Sequence, residues 1–287
     1  MKRKKQTLLW TIKGEGLPAV SYLFGTMHVR DARAFIHLAQ LEEALRQADA
    51  FAAEFHLSGP PIGGQANTGA MHLPDNTSLE GLIRPKRYKK LRKILLKTTQ
   101  LDIHPFRYSI PFVIVNLLGT QLLASEHHEA LDEFLWNLAK GQGKSMQGIE
   151  TFSEQMSVLE KIPIKDQVKM LLDLGKNISG FRRHIHHLIG LYQQGEVHRL
   201  FKTVKKNSKG LRHLLLYKRN EVMAGRIAAL AAKSSVFAAI GAGHLSGGKG
   251  VIRLLKKRGL DVKPVPMLAE VLKEKRLPKE SVFLDKN

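Results

Sequence analysis

Two short apolar runs at opposite ends of the chain close in the same way, and that shared ending limits the fold more than any other feature. Tyr22-Leu-Phe-Gly-Thr-Met-His28 and Phe237-Ala-Ala-Ile-Gly-Ala-Gly-His244 each read as a strand that meets a glycine and then, three positions on, a histidine. One such Gly-x-x-His carries no weight. Two of them, separated by most of the chain, are explained if the strands are neighbours in one sheet and both histidines face one site. Glycine is expected at these points to let the backbone turn sharply. The second run leads through a glycine-rich turn into residues 250–258, where Val251, Leu254 and Leu255 have helical spacing. Strand, tight loop and helix place such a turn at the carboxyl end of a sheet strand, where ligands bind in open α/β sheets.

The rest of the chain fits that frame. Residues 8–12 and 22–24 read as a hairpin turned at Gly14-Glu-Gly-Leu-Pro18, and 34–48 as a helix with Phe35, Leu38, Leu41, Leu45 and Ala48 on one face. Residues 50–55 form a short apolar strand that carries Glu54, a carboxylate whose burial costs several kcal/mol unless it is paired or bound to a cation. Glu54 is therefore either exposed on an edge strand or a ligand or base at a strand end. Residues 58–73, rich in Gly, Pro and Asn, read as a flexible loop placed to lie over a site. Helical patterns follow at 79–83, 88–96, 112–123 and 131–138, and the segment 111–124 is apolar almost all round, which predicts burial. Residues 144–150 form a strand that again ends in a carboxylate, Glu150. Helices are expected at 152–160, 165–174, 178–194 and 211–232; the last packs through Leu215, Val222 and Ala229 and carries Arg219 and Asn220 near its middle. A strand at 261–265 and a polar tail at 279–287 finish the chain. The expected architecture is α/β, a small central sheet with a strand-end site and a large helical insertion. It forms a single domain over 1–287 in which 58–143 and 152–232 are mainly helical.

Composition excludes several chemistries. With no cysteine there is no disulfide, thiolate ligand or cysteine nucleophile, so any metal is held by His, Asp or Glu. No apolar run reaches membrane-spanning length, and the basic start lacks a continuous apolar segment and a small-residue cleavage site; a cytoplasmic protein without a membrane span is expected. The formal charge of +21 predicts non-specific polyanion binding at low salt. The Lys and Arg residues are spread over many short clusters without a nucleic-acid motif, so no specific nucleic-acid partner is expected. Of the 13 histidines, the groups His127-His128 and His184, His186 and His187 read as surface residues, since adjacent histidines do not share a helix face and His184 with His187 lacks the spacing of His-Glu-x-x-His.

Three chemistries compete for the glycine-rich turn. Gly243 to Lys249 has P-loop spacing, but Gly250 stands where Ser or Thr would hold magnesium. Gly241-Ala-Gly243 opens like a dinucleotide fingerprint, but Ser246 occupies its third glycine position and no βαβ unit follows. The third is a site of strand-end residues, His28, Glu54, Glu150 and His244. Two imidazoles with carboxylates suit a divalent metal such as zinc, manganese, cobalt or iron.

These segments together resemble the TraB/GumN family, to which the Tiki metalloproteases belong. The likeness runs through both Gly-x-x-His segments, Ala53-Glu54, Gly148-Ile-Glu-Thr151 with Glu154-Gln155, Leu191-Tyr-Gln-Gln-Gly195 and Arg219-Asn220, in order. The resemblance implies an α/β domain with a metal-dependent site, in which His28 and His244 match the motif histidines and Glu54, Glu150 and Arg219 match further family positions. On that basis a metal-dependent hydrolase, a peptidase acting on a peptide or protein substrate, is expected. His28, His244 and one glutamate, Glu54 in the first instance, hold the metal; the other glutamate is the general base, Arg219 stabilises the oxyanion, and Asn220 orients substrate or a ligand. The alternatives are a non-catalytic protein that sequesters a peptide or cofactor in the same cleft, and a basic nucleic-acid binder.

Overall fold

The computed structural model of the chain describes residues 7–57, 71–123, 125–208 and 210–266. The loop expected at 58–73 falls mostly outside these residues, as does the polar tail. Strands β1 (Leu9–Lys13), β2 (Ser21–Thr26), β3 (Ala50–Phe55), β4 (Ser145–Glu150), β5 (Val236–Gly241) and β6 (Asp261–Pro264) form one sheet in the order β4-β3-β5-β2-β1-β6. The four strands from β4 to β2 are mutually parallel, while β1 runs antiparallel to both β2 and β6. The two Gly-x-x-His strands are thus direct neighbours, with Thr26 opposite Gly241.

Alternation along the strands divides the core into two layers. Phe24, Phe51 and Phe237 point to one face, where they stack on each other beneath α1 (Leu38–Arg46), α5 (Leu131–Gly141) and α8 (Ile178–Gln193). Leu23, Ala52 and Ala238 point to the other, against α10 (Lys218–Ala231) and α11 (Val251–Lys257). Alanines on that face bring α10 close to the strands, and its Met223, Ala224 and Ile227 are fully buried there. A third core, separate from the sheet, joins α2 (Leu79–Leu82), α3 (Pro85–Thr99), α4 (Pro111–Gln121) and α7 (Ile164–Lys176) around Leu79, Leu95, Ile114 and Leu171. The remaining helices are α6 (Phe152–Glu160) and α9 (Val197–Asn207). Among the described residues no helix is long and apolar enough to cross a membrane.

Three expectations need correction. The segment at 111–124 is not buried all round: Ile114 and Leu118 enter the third core and Val113 and Val115 pack partly buried against it, whereas Asn116 and Thr120 are exposed. The packing face of α10 is one residue out of phase with Leu215, Val222 and Ala229; Leu216, Asn220, Met223 and Ile227 face inward and Val222 is 40% exposed. A π-helical turn at His213–Tyr217 precedes α10, whose buried positions 216, 220, 223 and 227 keep ordinary helical spacing. Helix α9 was also unassigned, although Val197, Leu200, Phe201 and Val204 have the spacing of one helical face.

Candidate active site at the strand ends

The parallel strands present their carboxyl ends together, and in sheet order these ends carry Glu150, Glu54, the Gly241 to His244 turn and the segment leading to His28. Glu54 is not on an edge, since β3 lies between β4 and β5. Its carboxylate is held on three sides: Oε1 accepts from Arg219 Nη2 at 2.5 Å and from Gln155 Nε2 at 3.3 Å, and Oε2 accepts from the Gly241 amide at 2.8 Å. Glu150, almost buried, takes the same guanidinium through Nε at 3.1 Å and Nη2 at 2.5 Å. Burial alone would raise the Glu54 pKa, but the charge that His244 carries once protonated in acid, the Arg219 guanidinium and the Gly241 amide outweigh it and hold the carboxyl below its usual range. Burial likewise opposes the Arg219 charge, and the hydrogen bonds and charges of Glu150 and Glu54 reverse that effect and raise its pKa.

The adjacent residue on α10 serves the other half of the site. Successive helical residues diverge by about 100°, so Arg219 turns to the glutamates while Asn220 turns to His244. Asn220 is fully buried and donates from Nδ2 to the Lys249 carbonyl at 2.7 Å, which leaves Oδ1 to accept from His244 Nδ1 at 2.6 Å. That bond fixes the tautomer: Nδ1 carries the proton and Nε2 the lone pair. Burial lowers the His244 pKa to about 4, Arg219 adding to the effect and Glu54 opposing it, so the ring is neutral at pH 7. Asn220 is thus placed to orient His244.

His28 differs from its counterpart in being exposed, and Nδ1 donates to both carboxylate oxygens of Asp132 at 2.9 and 2.8 Å. The Asp132 hydrogen bond raises the His28 pKa against the opposing effect of burial. Asp132 lies in the first turn of α5, and nothing in the sequence sets it apart from an ordinary acidic helix start. Below His28, the buried Tyr192 hydroxyl donates to the Gly25 carbonyl at 2.8 Å and ties α8 to β2. Gln155, in the first turn of α6, bridges toward both glutamates; it was noted only as part of the Glu154-Gln155 likeness and given no role.

The two motif glycines serve close approach rather than a turn. Neither Gly25 nor Gly241 has a positive φ. A Cβ on Gly25 would lie 2.6 Å from Leu245 Cδ1, and one on Gly241 would lie 3.1 Å from Glu54 Oε2 and 3.5 Å from His244 Cδ2. Gly241 is therefore the point where Glu54 and His244 meet. A cavity of about 140 Å³ opens here, lined by Thr26, His28, Glu54, Phe55, Asp132 and Gly241 among others. A larger one of about 330 Å³ adjoins it at Leu57 and runs along α5 past Glu133 and Trp136. Glu54 and His28 face the first cavity; Glu150 and His244 are not among its lining residues.

The fit to a divalent cation is partial. Both imidazoles have Nδ1 engaged and Nε2 available, the arrangement found where an outer partner orients a histidine ligand. Among the described residues, however, no three His, Asp or Glu side chains gather into a metal-holding group, so the expected set of His28, His244 and Glu54 is not assembled. Arg219 is engaged with both of the carboxylates that a cation would otherwise meet.

A model of the TraB/PrgY/gumN family matches residues 8–264 of the chain. Metalloprotease TIKI2 of Danio rerio is 24% identical over 325 residues, covering 91% of this chain and 61% of its own length. Metalloprotease TIKI1 of the same fish is 24% identical over 317 residues, covering 91% of this chain and 63% of its own. The chain thus spans about three fifths of the length of these relatives. No solved structure matches it significantly.

Proposed function

The chain belongs to the TraB/PrgY/gumN family, and from that premise we propose that it is a metal-dependent hydrolase that cleaves peptide bonds. The observation that supports this best is the pair of motif histidines on neighbouring parallel strands, each with Nδ1 held by a partner and Nε2 left for a ligand. His28 and His244 would hold the cation, with Glu54 as the carboxylate donor. When bound, such a cation polarises a carbonyl and acidifies water. The remaining work falls to the protein's own groups. Glu54 is the carboxylate that faces the cavity; Glu150 sits behind it and fixes Arg219, which makes Glu150 a positioning residue. Nη1 of Arg219 makes no hydrogen bond among the described residues, but Arg219 does not line the cavity, so it would meet an oxyanion only after its side chain turned toward that space. The larger cavity along α5 gives a peptide room beyond the reacting bond.

The test is elemental analysis and peptide hydrolysis of the purified chain after reconstitution with zinc, manganese, cobalt or iron, beside folded His28→Ala, His244→Ala and Glu54→Gln variants. Near-stoichiometric metal and cleavage in the wild type, both lost in the histidine variants, are expected. A wild type that binds no metal and returns peptides intact overturns the reading. A second reading has its own support: Arg219 already pairs with both glutamates without a cation, as in a cleft that binds a peptide and does not cut it. Tight metal-independent peptide binding without cleavage would establish that alternative.

A further inference from the structure

Helix α3 carries its charges where they harm it. From Arg84 to Leu101 there are eight basic residues and no acidic one. Lys86 and Arg87 stand in the first turn, at the positive end of the helix dipole. Lys86 with Lys90, Lys89 with Lys93, and Lys93 with Lys97 are like charges one turn apart, each pair weakening the helix. Tyr88, Leu91 and Leu95 anchor the opposite face in the third core, so these five lysines form one outward stripe roughly 16 Å long at 1.5 Å per residue. All five are exposed, and none takes part in an ion pair among the described residues, whereas Arg92, on the flank toward the core, pairs with Asp102 at 2.6 Å. A stripe that costs its own helix stability and has no ion-pair partner among the described residues is complementary to an external anionic surface.

We propose that the lysine stripe of α3 docks this protein on an anionic lipid bilayer. The composition of the stripe favours a membrane over a nucleic acid. Lysines act as hydrated point charges that adhere to anionic headgroups, whereas phosphate-backbone and base recognition favours arginine forks and exposed aromatics, and the stripe has neither. Leu96, beside Lys89 and Lys93 on the helix flank, is 47% exposed, and Leu82 just before the helix is 41% exposed. Apolar side chains flanking a basic face gain from the headgroup boundary and gain nothing from phosphates in water.

The test is co-sedimentation of the full chain with vesicles of phosphatidylcholine alone and of phosphatidylcholine with phosphatidylserine, at physiological salt. The stripe variant Lys86→Gln/Lys90→Gln/Lys93→Gln/Lys97→Gln is compared with a charge-matched control, Lys13→Gln/Lys202→Gln/Lys233→Gln/Lys256→Gln, whose positions are also exposed. Glutamine has nearly the helix propensity of lysine, so the stripe variant keeps its fold, which circular dichroism checks. Wild type and control should bind phosphatidylserine vesicles and not phosphatidylcholine alone. The stripe variant should lose about fivefold per lysine, or several-hundredfold in all. Equal losses in the two variants would show that diffuse charge is responsible and overturn the proposal. So would a wild type that ignores the vesicles but retains single-stranded RNA under the same conditions, which would assign the stripe to nucleic acid.

Discussion

Replacing Arg219 with methionine keeps much of the stem's volume and leaves Glu54 and Glu150 facing each other without a counter-charge. The three side chains are 16%, 24% and 4% exposed respectively, so the group is largely removed from water. Removing one partner of such a pair costs about 3–5 kcal/mol, and because Glu54 reaches the cavity the lower figure of about 3 kcal/mol applies. At about 2.1 cal/mol/K per residue of unfolding entropy, that loss lowers the thermal midpoint of the 287-residue chain by about 5 °C. The effect has a characteristic pH dependence. In the native protein Glu54 titrates below its unfolded value of about 4.3, so its contribution is present above that value and is lost as pH falls through the lower folded pKa. In the variant, two facing carboxylates favour the protonated form, so the sign reverses and the variant recovers relative to wild type as the solution is acidified. Urea unfolding of the metal-free proteins, followed by tryptophan fluorescence, should show a gap of about 3 kcal/mol at neutral pH that narrows toward pH of about 4. Equal midpoints at neutral pH, or a gap indifferent to acid, would refute the assignment of Arg219 as the counter-charge of both glutamates.

The other predictions probe the neighbouring contacts. Asp132→Asn should bring the His28 pKa down toward its ordinary value and, with His28 as a ligand, weaken metal binding about 10–100-fold; ring-proton titration by NMR and a metal competition titration read the two effects separately, and an unmoved His28 titration would disprove the hydrogen bond. His244 is held near a pKa of about 4, so the unfolded chain binds its proton first: the metal-free protein should lose about 3 kcal/mol as pH falls from about 6.5 to about 4, and urea midpoints of a folded His244→Phe variant should lack that part of the slope. Gly247→Ala, at φ +97 with its Cβ 2.4 Å from the Phe201 ring, should destabilise by about 2 kcal/mol or more, while Gly248→Ala, with nothing within 4 Å, should be nearly neutral in the same unfolding assay.

What was legible in the sequence, and what was not, follows the range of the interactions. The strands could be read because their apolar runs are local, and the adjacency of β2 and β5 because the same ending occurred twice. The partners of the site residues could not be read. Asp132 lies 104 positions from His28, and Tyr192 lies 167 from the Gly25 carbonyl that it caps. Nothing in the residues around either histidine specifies which distant helix will arrive there. The role of the motif glycines was misread for a related reason: a tight turn is a property of one residue, whereas the space that Gly25 and Gly241 leave is needed by Leu245, Glu54 and His244.

Arg219 and Asn220 show how such distant contacts can still become a single device. In the sequence they are two polar residues side by side near the middle of a helix, with Arg219 expected to meet an oxyanion and Asn220 to orient substrate or a ligand. In the fold they part by one helical step, and each takes one half of the site, the carboxylates on β3 and β4 or the imidazole after β5. Any displacement of α10 therefore acts on both halves together. Withdrawing Arg219 by a movement of α10 would also strain the Asn220 bond that fixes the His244 tautomer. The carboxylate and the imidazole are thus coupled through one backbone step. Loosening α10 as a whole would release Glu54 at the expense of the His244 tautomer, whereas rotation of the Arg219 side chain alone would free Glu54 and leave His244 Nε2 in place.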